Sequence, residues 1–202
     1  EPLVWVSAQH REMLDQVLQV FGLVPDRDFD IMRAGQSLTQ VTNAVLEATG
    51  EALAVSRPDA LIVQGDTTTA FARALAAFYA GVPVAHVEAG LRTGDKRAPF
   101  PEEINRRMIS TLADLHFAPT ERARESLLRE GVPGTTVWVT GNTVIDALAT
   151  VSRRMRDAPP PEELPEAVAC GVRRVVLVTG HRRESFGEGF ESICRAIAAL
   201  AA

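Results

Sequence analysis

Cysteine is almost missing from this sequence: Cys170 and Cys194 are the only two among 202 residues. They lack CxxC spacing, so no disulfide framework is indicated, and the pair suits structural thiols in a reducing compartment. Histidine is scarce too. The four histidines form neither an HxH nor an HxxxH pair, which argues against a metal site. No apolar run reaches 18 residues, so nothing in the chain reads as a membrane-spanning helix. Cations are outnumbered: the net charge is −5 and the pI about 5.4. That argues against a general nucleic-acid or anionic-membrane binder, which needs clustered Lys and Arg. No GxGxxG, GxxxxGK[ST] or GxSxG run occurs, so dinucleotide, P-loop and serine-hydrolase signals are absent.

What is present is an ordinary globular composition, 46% hydrophobic and 23% charged, arranged as alternating strand and helix patterns. Short apolar runs predict strands at 3–7, 61–64, 84–87, 115–119 and 137–140, with a weaker one inside 26–32. The run at 61–64 is too apolar to alternate, as expected of a parallel strand covered on both faces. Helices are predicted over 12–21 with an apolar face of Met13, Val17, Leu18 and Val20, then from Ser37 as N-cap to about 57. Others follow over 67–80, 101–114, 120–130 and from about 142. Such alternation with short connections implies an α/β fold with a doubly wound parallel sheet. The proline-rich, acidic stretch 157–171 reads as a linker between a Rossmann-like domain, 1–156, and the start of a second one, 172–202. The chain starts at Glu1-Pro2, without Met or a signal-like segment, and stops inside a helical pattern at 196–202. Both ends read as cut.

Chemistry concentrates between Asp59 and Asn105. Asp66 closes one buried-strand pattern and Glu88 the next. In open α/β sheets ligands bind beyond the carboxyl ends of the strands, so acids there suggest proton chemistry. Each has a plainer reading beside it. Asp66 precedes a helix and suits an N-cap. Glu88 could pair with Arg92, and Gly90 lets backbone approach a ligand closely. Pro101-Glu102-Glu103 has the form of a helix start with proline at N1, and Arg106 stands at i+4 from Glu102. His181 could be a cap or a surface residue, while Arg182 and Arg183 beside a helix start make a natural anion site. From the residues alone the chain is an α/β domain acting on an anionic ligand.

A resemblance goes further. The runs AQHREMLD (8–15), GDTTT (65–69), HVEAGLRT (86–93), PEE-x-NR (101–106), TGNTVID (140–146) and TGHRRES (179–185) occur together and in order. This pattern closely resembles the non-hydrolysing UDP-N-acetylglucosamine 2-epimerases of bacteria, over essentially the whole chain. The resemblance implies a GT-B-like fold of two Rossmann-like domains and a reaction interconverting UDP-GlcNAc and UDP-ManNAc. It proceeds by anti elimination of UDP to 2-acetamidoglucal and re-addition, with no metal, nicotinamide or other cofactor. It implies Asp66, Glu88, Glu102 and His181 as the catalytic set, with Arg182, Arg92 and Ser185 meeting substrate. In some members a second UDP-GlcNAc acts as an allosteric activator at positions matching Gln9, Glu12, Gln36, Glu102 and Arg182. Gly35 stands where some members carry arginine, so one activator contact is missing.

The resemblance further implies a cytoplasmic homodimer at full length, with no nucleic-acid or membrane partner, that supplies ManNAc for cell-surface polysaccharide. The family's first strand and its UDP-gripping C-terminal half are not in these 202 residues, so the chain alone is expected to turn over negligibly. Other readings are another GT-B UDP-sugar enzyme, such as a hydrolysing epimerase or a glycosyltransferase, or a non-catalytic nucleotide-sugar-binding fragment.

Overall fold

The computed structural model describes residues 1–7, 11–33, 35–156, 176, 178 and 187–201. They fall into two compact units, Glu1–Arg153 and Arg154–Ala202. In the first, β1 (Trp5–Val6) leads through α1 (Arg11–Phe21) to β2 (Arg27–Asp28), and α2 (Leu38–Ser56) follows. Three further units come next: β3 (Leu61–Gln64) with α3 (Thr68–Tyr79), β4 (Val84–Val87) with α4 (Glu102–Leu112), and β5 (Leu115–Ala118) with α5 (Glu121–Arg129). A 3-10 turn (Gly134–Thr136), β6 (Val137–Val139) and α6 (Thr143–Met155) complete the series. The second unit contains α7 (Glu188–Ala201), on which Cys194 is exposed rather than packed as a structural thiol. The linker stretch, with Cys170, and most of 172–186 at the expected start of the second domain lie outside the described residues.

All strand pairs among the described residues are parallel, as repeated strand–helix units require. The ladder comes in two pieces: a sheet in the order β3-β4-β5-β6 and a separate β1-β2 pair. As an outer strand of its sheet, β3 is covered less fully than its apolar sequence suggests. Val63 is buried, whereas Ile62 is 68% exposed. The main core joins Leu53 of α2, Val63, Val84 and Ile109 to four alanines of α3 (Ala70, Ala74, Ala76 and Ala77), with Trp5 packed at its margin. Alanine loses no rotamer freedom on burial, so this helix packs closely at little entropic cost. A second cluster, Ala89, Ala118, Ala123, Leu127 and Val137, fastens α5 to the far side of the sheet.

Local chemistry sets the ends of the helices. Ser37 caps α2 in a reciprocal box with Gln40 (Gln40 N to Ser37 Oγ 3.2 Å, Ser37 N to Gln40 Oε1 2.8 Å). Thr67 and Thr120 cap α3 and α5 by accepting from Ala70 N and Ala123 N, each at 3.1 Å. The apolar face expected on α1 does form, but Met13 and Val17 are more than half exposed. No described helix is long and apolar enough to cross a membrane.

Candidate functional site

β3 and β4 end level with each other, Gln64 opposite Val87. The next residue of each strand turns left-handed: Gly65 at φ +71° and Glu88 at φ +68°. Positive φ is free for glycine and costly for glutamate, so the fold holds a strained backbone at the residue carrying a carboxyl. The turn brings that carboxyl across to the neighbouring strand end. A Cβ at position 65 would stand 3.8 Å from Glu88 Oε2, and Gln64 hydrogen-bonds the carboxylate. Burial, followed by the negative charge of Asp66, raises the Glu88 pKa, against opposing pulls from Arg106 and Gln64. A carboxyl in these surroundings keeps its proton at a higher pH than a free one, the property wanted in a group that lends and recovers a proton.

Asp66 is not the N-cap of α3, because Thr67 takes that place. Its carboxylate instead receives the Arg106 guanidinium from α4, and Arg106 also reaches Glu103 Oε2 at 3.4 Å. The i+4 pairing of Arg106 with Glu102 is therefore not made. Glu103, 0% exposed, is the inward acid of this helix. Its Oε2 and Oε1 accept from the backbone N–H groups of Thr93 (3.1 Å) and Gly94 (3.2 Å), tying the 91–100 loop to α4. Asn105 Nδ2 donates to the Asp66 carbonyl at 2.9 Å. Glu102, partly exposed, opens α4, with Pro101 one place earlier than expected, at the N-cap rather than N1.

The alternative partner expected for Glu88, Arg92, belongs elsewhere. Its guanidinium grips Glu130 through two bonds of 2.9 and 2.7 Å and donates to Ser110 Oγ (3.0 Å) and Leu91 O (2.7 Å). This grip holds the Glu130 pKa below the usual carboxylate range. Gly90 lets α5 pack closely: at φ +89°, a Cβ there would stand 2.2 Å from the Ala123 carbonyl oxygen of α5. A cavity of about 240 Å³ opens between Gly90–Arg92 and the start of α5, lined also by Thr120, Arg122 and Ser126. Asp66, Glu88 and Glu102 do not line it.

Behind the acids lies His86, fully buried in the middle of β4, its Nε2 2.8 Å from the Gly65 carbonyl. Burial, with smaller contributions from His116, Arg92 and Arg106, lowers its pKa to about 4 against the pull of the Gly65 carbonyl. The unfolded chain takes up this proton near pH 6.5. Between the two values the unfolded state binds more protons, so stability falls as the medium acidifies. The His86 contribution is complete above pH 6.5 and is lost progressively toward pH 4, in all about 3 kcal/mol. Urea unfolding across that window should show a loss that His86→Gln reduces; identical pH dependence in both proteins would contradict the assignment.

Among the other residues singled out from sequence, Gln9, His181, Arg182 and Ser185 lie outside the described residues. Gln36 spends its amide on the neighbouring loop, accepting from Arg33 N (2.6 Å) and donating to Ile31 O (3.2 Å). Glu12 lies exposed in the first turn of α1, and Gly35 sits at φ +77° with open space around it. The structure thus brings Asp66 and Glu88 together, adding Arg106, Glu103, Asn105 and His86 as support. Glu103, Asn105 and Arg106 stand together in the PEE-x-NR run and His86 opens the HVEAGLRT run, but spacing gave none of them the partner it has here.

The chain is similar to known proteins over its whole length. The family model described as UDP-N-acetylglucosamine 2-epimerase matches residues 1–202. The UDP-N-acetylglucosamine 2-epimerase of Salmonella typhimurium is 54% identical over 207 residues, covering 100% of this chain and 54% of that protein. The Escherichia coli K12 protein of the same name is 51% identical, with the same coverage. Among solved structures, the Neisseria meningitidis UDP-GlcNAc 2-epimerase bound to UDP-GlcNAc superposes with a TM-score of 0.73 at 49% identity, over 77% of this chain and 42% of that one. An S. aureus protein solved with UDP gives 0.83 at 42% identity, over 99% and 51%. The chain spans about half the length of the curated relatives it matches.

Proposed function

The chain belongs to the UDP-N-acetylglucosamine 2-epimerase family, and from that premise we propose that it forms the proton-transfer half of an enzyme interconverting UDP-GlcNAc and UDP-ManNAc. The observation that carries this reading is the Glu88 carboxyl, turned left-handed beside Asp66 with its proton affinity raised. The C2 hydrogen of the sugar has no adjacent carbonyl, so it is removable only as the C1–oxygen bond to UDP breaks. Elimination leaves 2-acetamidoglucal, UDP and a proton on the enzyme. Re-addition of UDP at C1 with protonation of C2 on the other face gives the epimer, and every atom is returned.

Two faces call for two acid–base groups with different surroundings. We assign Glu88 and Glu102 to the C2 proton. Burial keeps Glu88 protonatable, and Asp66, paired with Arg106, adds a fixed negative charge beside it. His181 assists the departing and returning UDP, and Arg182 and Ser185 meet the nucleotide. Arg92, already committed to Glu130, shapes the loop rather than reaching for phosphate. A second UDP-GlcNAc held near Gln9, Glu12, Gln36, Glu102 and Arg182 as activator, dimerisation at full length and supply of ManNAc for surface polysaccharide complete the proposal. The 202-residue chain alone turns over negligibly.

The test is incubation of an epimerase of full family length carrying this segment with UDP-GlcNAc in D2O. Deuterium at C2 of UDP-ManNAc and of recovered UDP-GlcNAc is the expected result. Free ManNAc instead would make the enzyme a hydrolysing epimerase.

A further inference from the structure

The turn carrying Asp66 is held by buried side chains on consecutive peptide groups. The Gly65 N–H donates to Val87 O at 3.0 Å, and the Gly65 carbonyl lies 2.8 Å from His86 Nε2. The next carbonyl, that of Asp66, accepts from Asn105 Nδ2 at 2.9 Å. His86 is 0% exposed and Asn105 5%. Burying an imidazole and an amide is costly unless they are bonded, and a turn at a strand end ordinarily gives its carbonyls to water. Two buried donors aimed at successive carbonyls of one turn point to fixed orientation as their role.

The chemistry at His86 settles its tautomer. A carbonyl only accepts, so Nε2 carries the hydrogen and Nδ1 a bare lone pair, which has no partner among the described residues. The neighbour on β5, His116, is built alike: its Nε2 is 3.0 Å from Ser110 O and its Nδ1 has no partner among the described residues. A merely space-filling apolar side chain would avoid the orphaned Nδ1, so the Nε2–H bond is the feature that explains a histidine here.

We propose that His86 is a positioning residue: as a neutral Nε2–H donor, with Asn105, it clamps the Gly65–Asp66 peptide so that the Asp66 carboxylate stays against Glu88. This rests on the epimerase reading for its catalytic consequence, but not for its geometry. The clamp acts on the turn from behind and never touches substrate. Its loss therefore lowers turnover through a misplaced Asp66, leaving nucleotide binding in place.

Two variants separate this from simple support of the fold. His86→Leu removes the donor, and His86→Gln keeps an N–H at similar reach. In an epimerase of full family length carrying this segment, His86→Leu should lower kcat about 100-fold, with KM for UDP-GlcNAc within about twofold and values corrected for folded protein. His86→Gln should recover most of the loss. Equal kcat in wild type and His86→Leu, or equal loss in Leu and Gln, overturns the proposal. A second measurement does not depend on activity: carboxyl titration by NMR in the 202-residue chain. Weakened coupling of Asp66 to Glu88 in His86→Leu should let the Glu88 midpoint fall toward that of a free glutamate, with His86→Gln close to wild type. An unmoved midpoint overturns the clamp, whereas an inactive wild-type enzyme with a moved midpoint overturns only the epimerase reading.

Discussion

Replacing Gly90 by alanine should unfold the first unit or leave it barely stable, with a loss of at least about 4 kcal/mol. Two costs coincide there. At φ +89° an L-residue is strained whatever the space around it. The new methyl would also meet the Ala123 carbonyl oxygen at 2.2 Å and its carbon at 2.8 Å. Both are helix backbone, which cannot swing aside as a flexible side chain would. The collision pushes α5 from the cluster of Ala89, Ala118, Ala123, Leu127 and Val137, so the packing behind it is lost as well. Guanidinium unfolding followed by circular dichroism reads the effect. A midpoint within error of wild type would mean that α5 does not sit this close to Gly90. Gly81, with a similar φ of +69° but open space around it, is the control: alanine there should cost only the backbone strain, about 1 kcal/mol.

The second large effect concerns chemistry. Glu88→Gln, in an epimerase of full family length carrying this segment, should lower kcat about a thousandfold while changing the fold little. The amide keeps the size and the neighbour Gln64 but cannot take or return a proton. It also removes the carboxyl whose proton affinity is raised by burial and, after that, by Asp66. Loss of C2 deuterium incorporation in D2O, in step with the loss of kcat, is the expected signature. Near-normal epimerisation would move the proton transfer to another residue. Because the Glu88 pKa is raised, the wild-type rate should decline at high pH as that group deprotonates wherever the protonated form is the one required.

The strands were the most legible part of the sequence. The bounds of β3 and β4 follow from apolar runs closed by Gly and an acid, and Ser37, four residues ahead of Val41, gives the start of α2. Partners distant in sequence were not legible. Asp66 meets Arg106 across 40 residues and Arg92 meets Glu130 across 38. Rules of local spacing assigned these side chains to a cap and an i+4 pair instead. Threonine at 67 competes with Asp66 for the cap and wins it, which frees the carboxylate for α4. Glu102 and Glu103 could be told apart only by the phase of α4 against the sheet, which turns Glu103 inward toward the Thr93–Gly94 backbone. Ile62 fails for a related reason: an apolar run does not say whether a strand is inner or outer.

The left-handed backbone at Glu88 has a consequence for how this position can change over time. On the proton-transfer role proposed for Glu88, selection favours a carboxylate there, while the main chain favours glycine or asparagine by about 1–2 kcal/mol. The two pressures oppose each other only while the chemistry is needed. In a lineage that has abandoned the reaction, position 88 should drift early to Gly or Asn and gain stability in doing so. Valine, isoleucine or threonine stay disfavoured in either case, because a branched Cβ suits φ +68° worst. On that proposal, the identity of residue 88 in a relative reports whether the proton transfer is still under selection there.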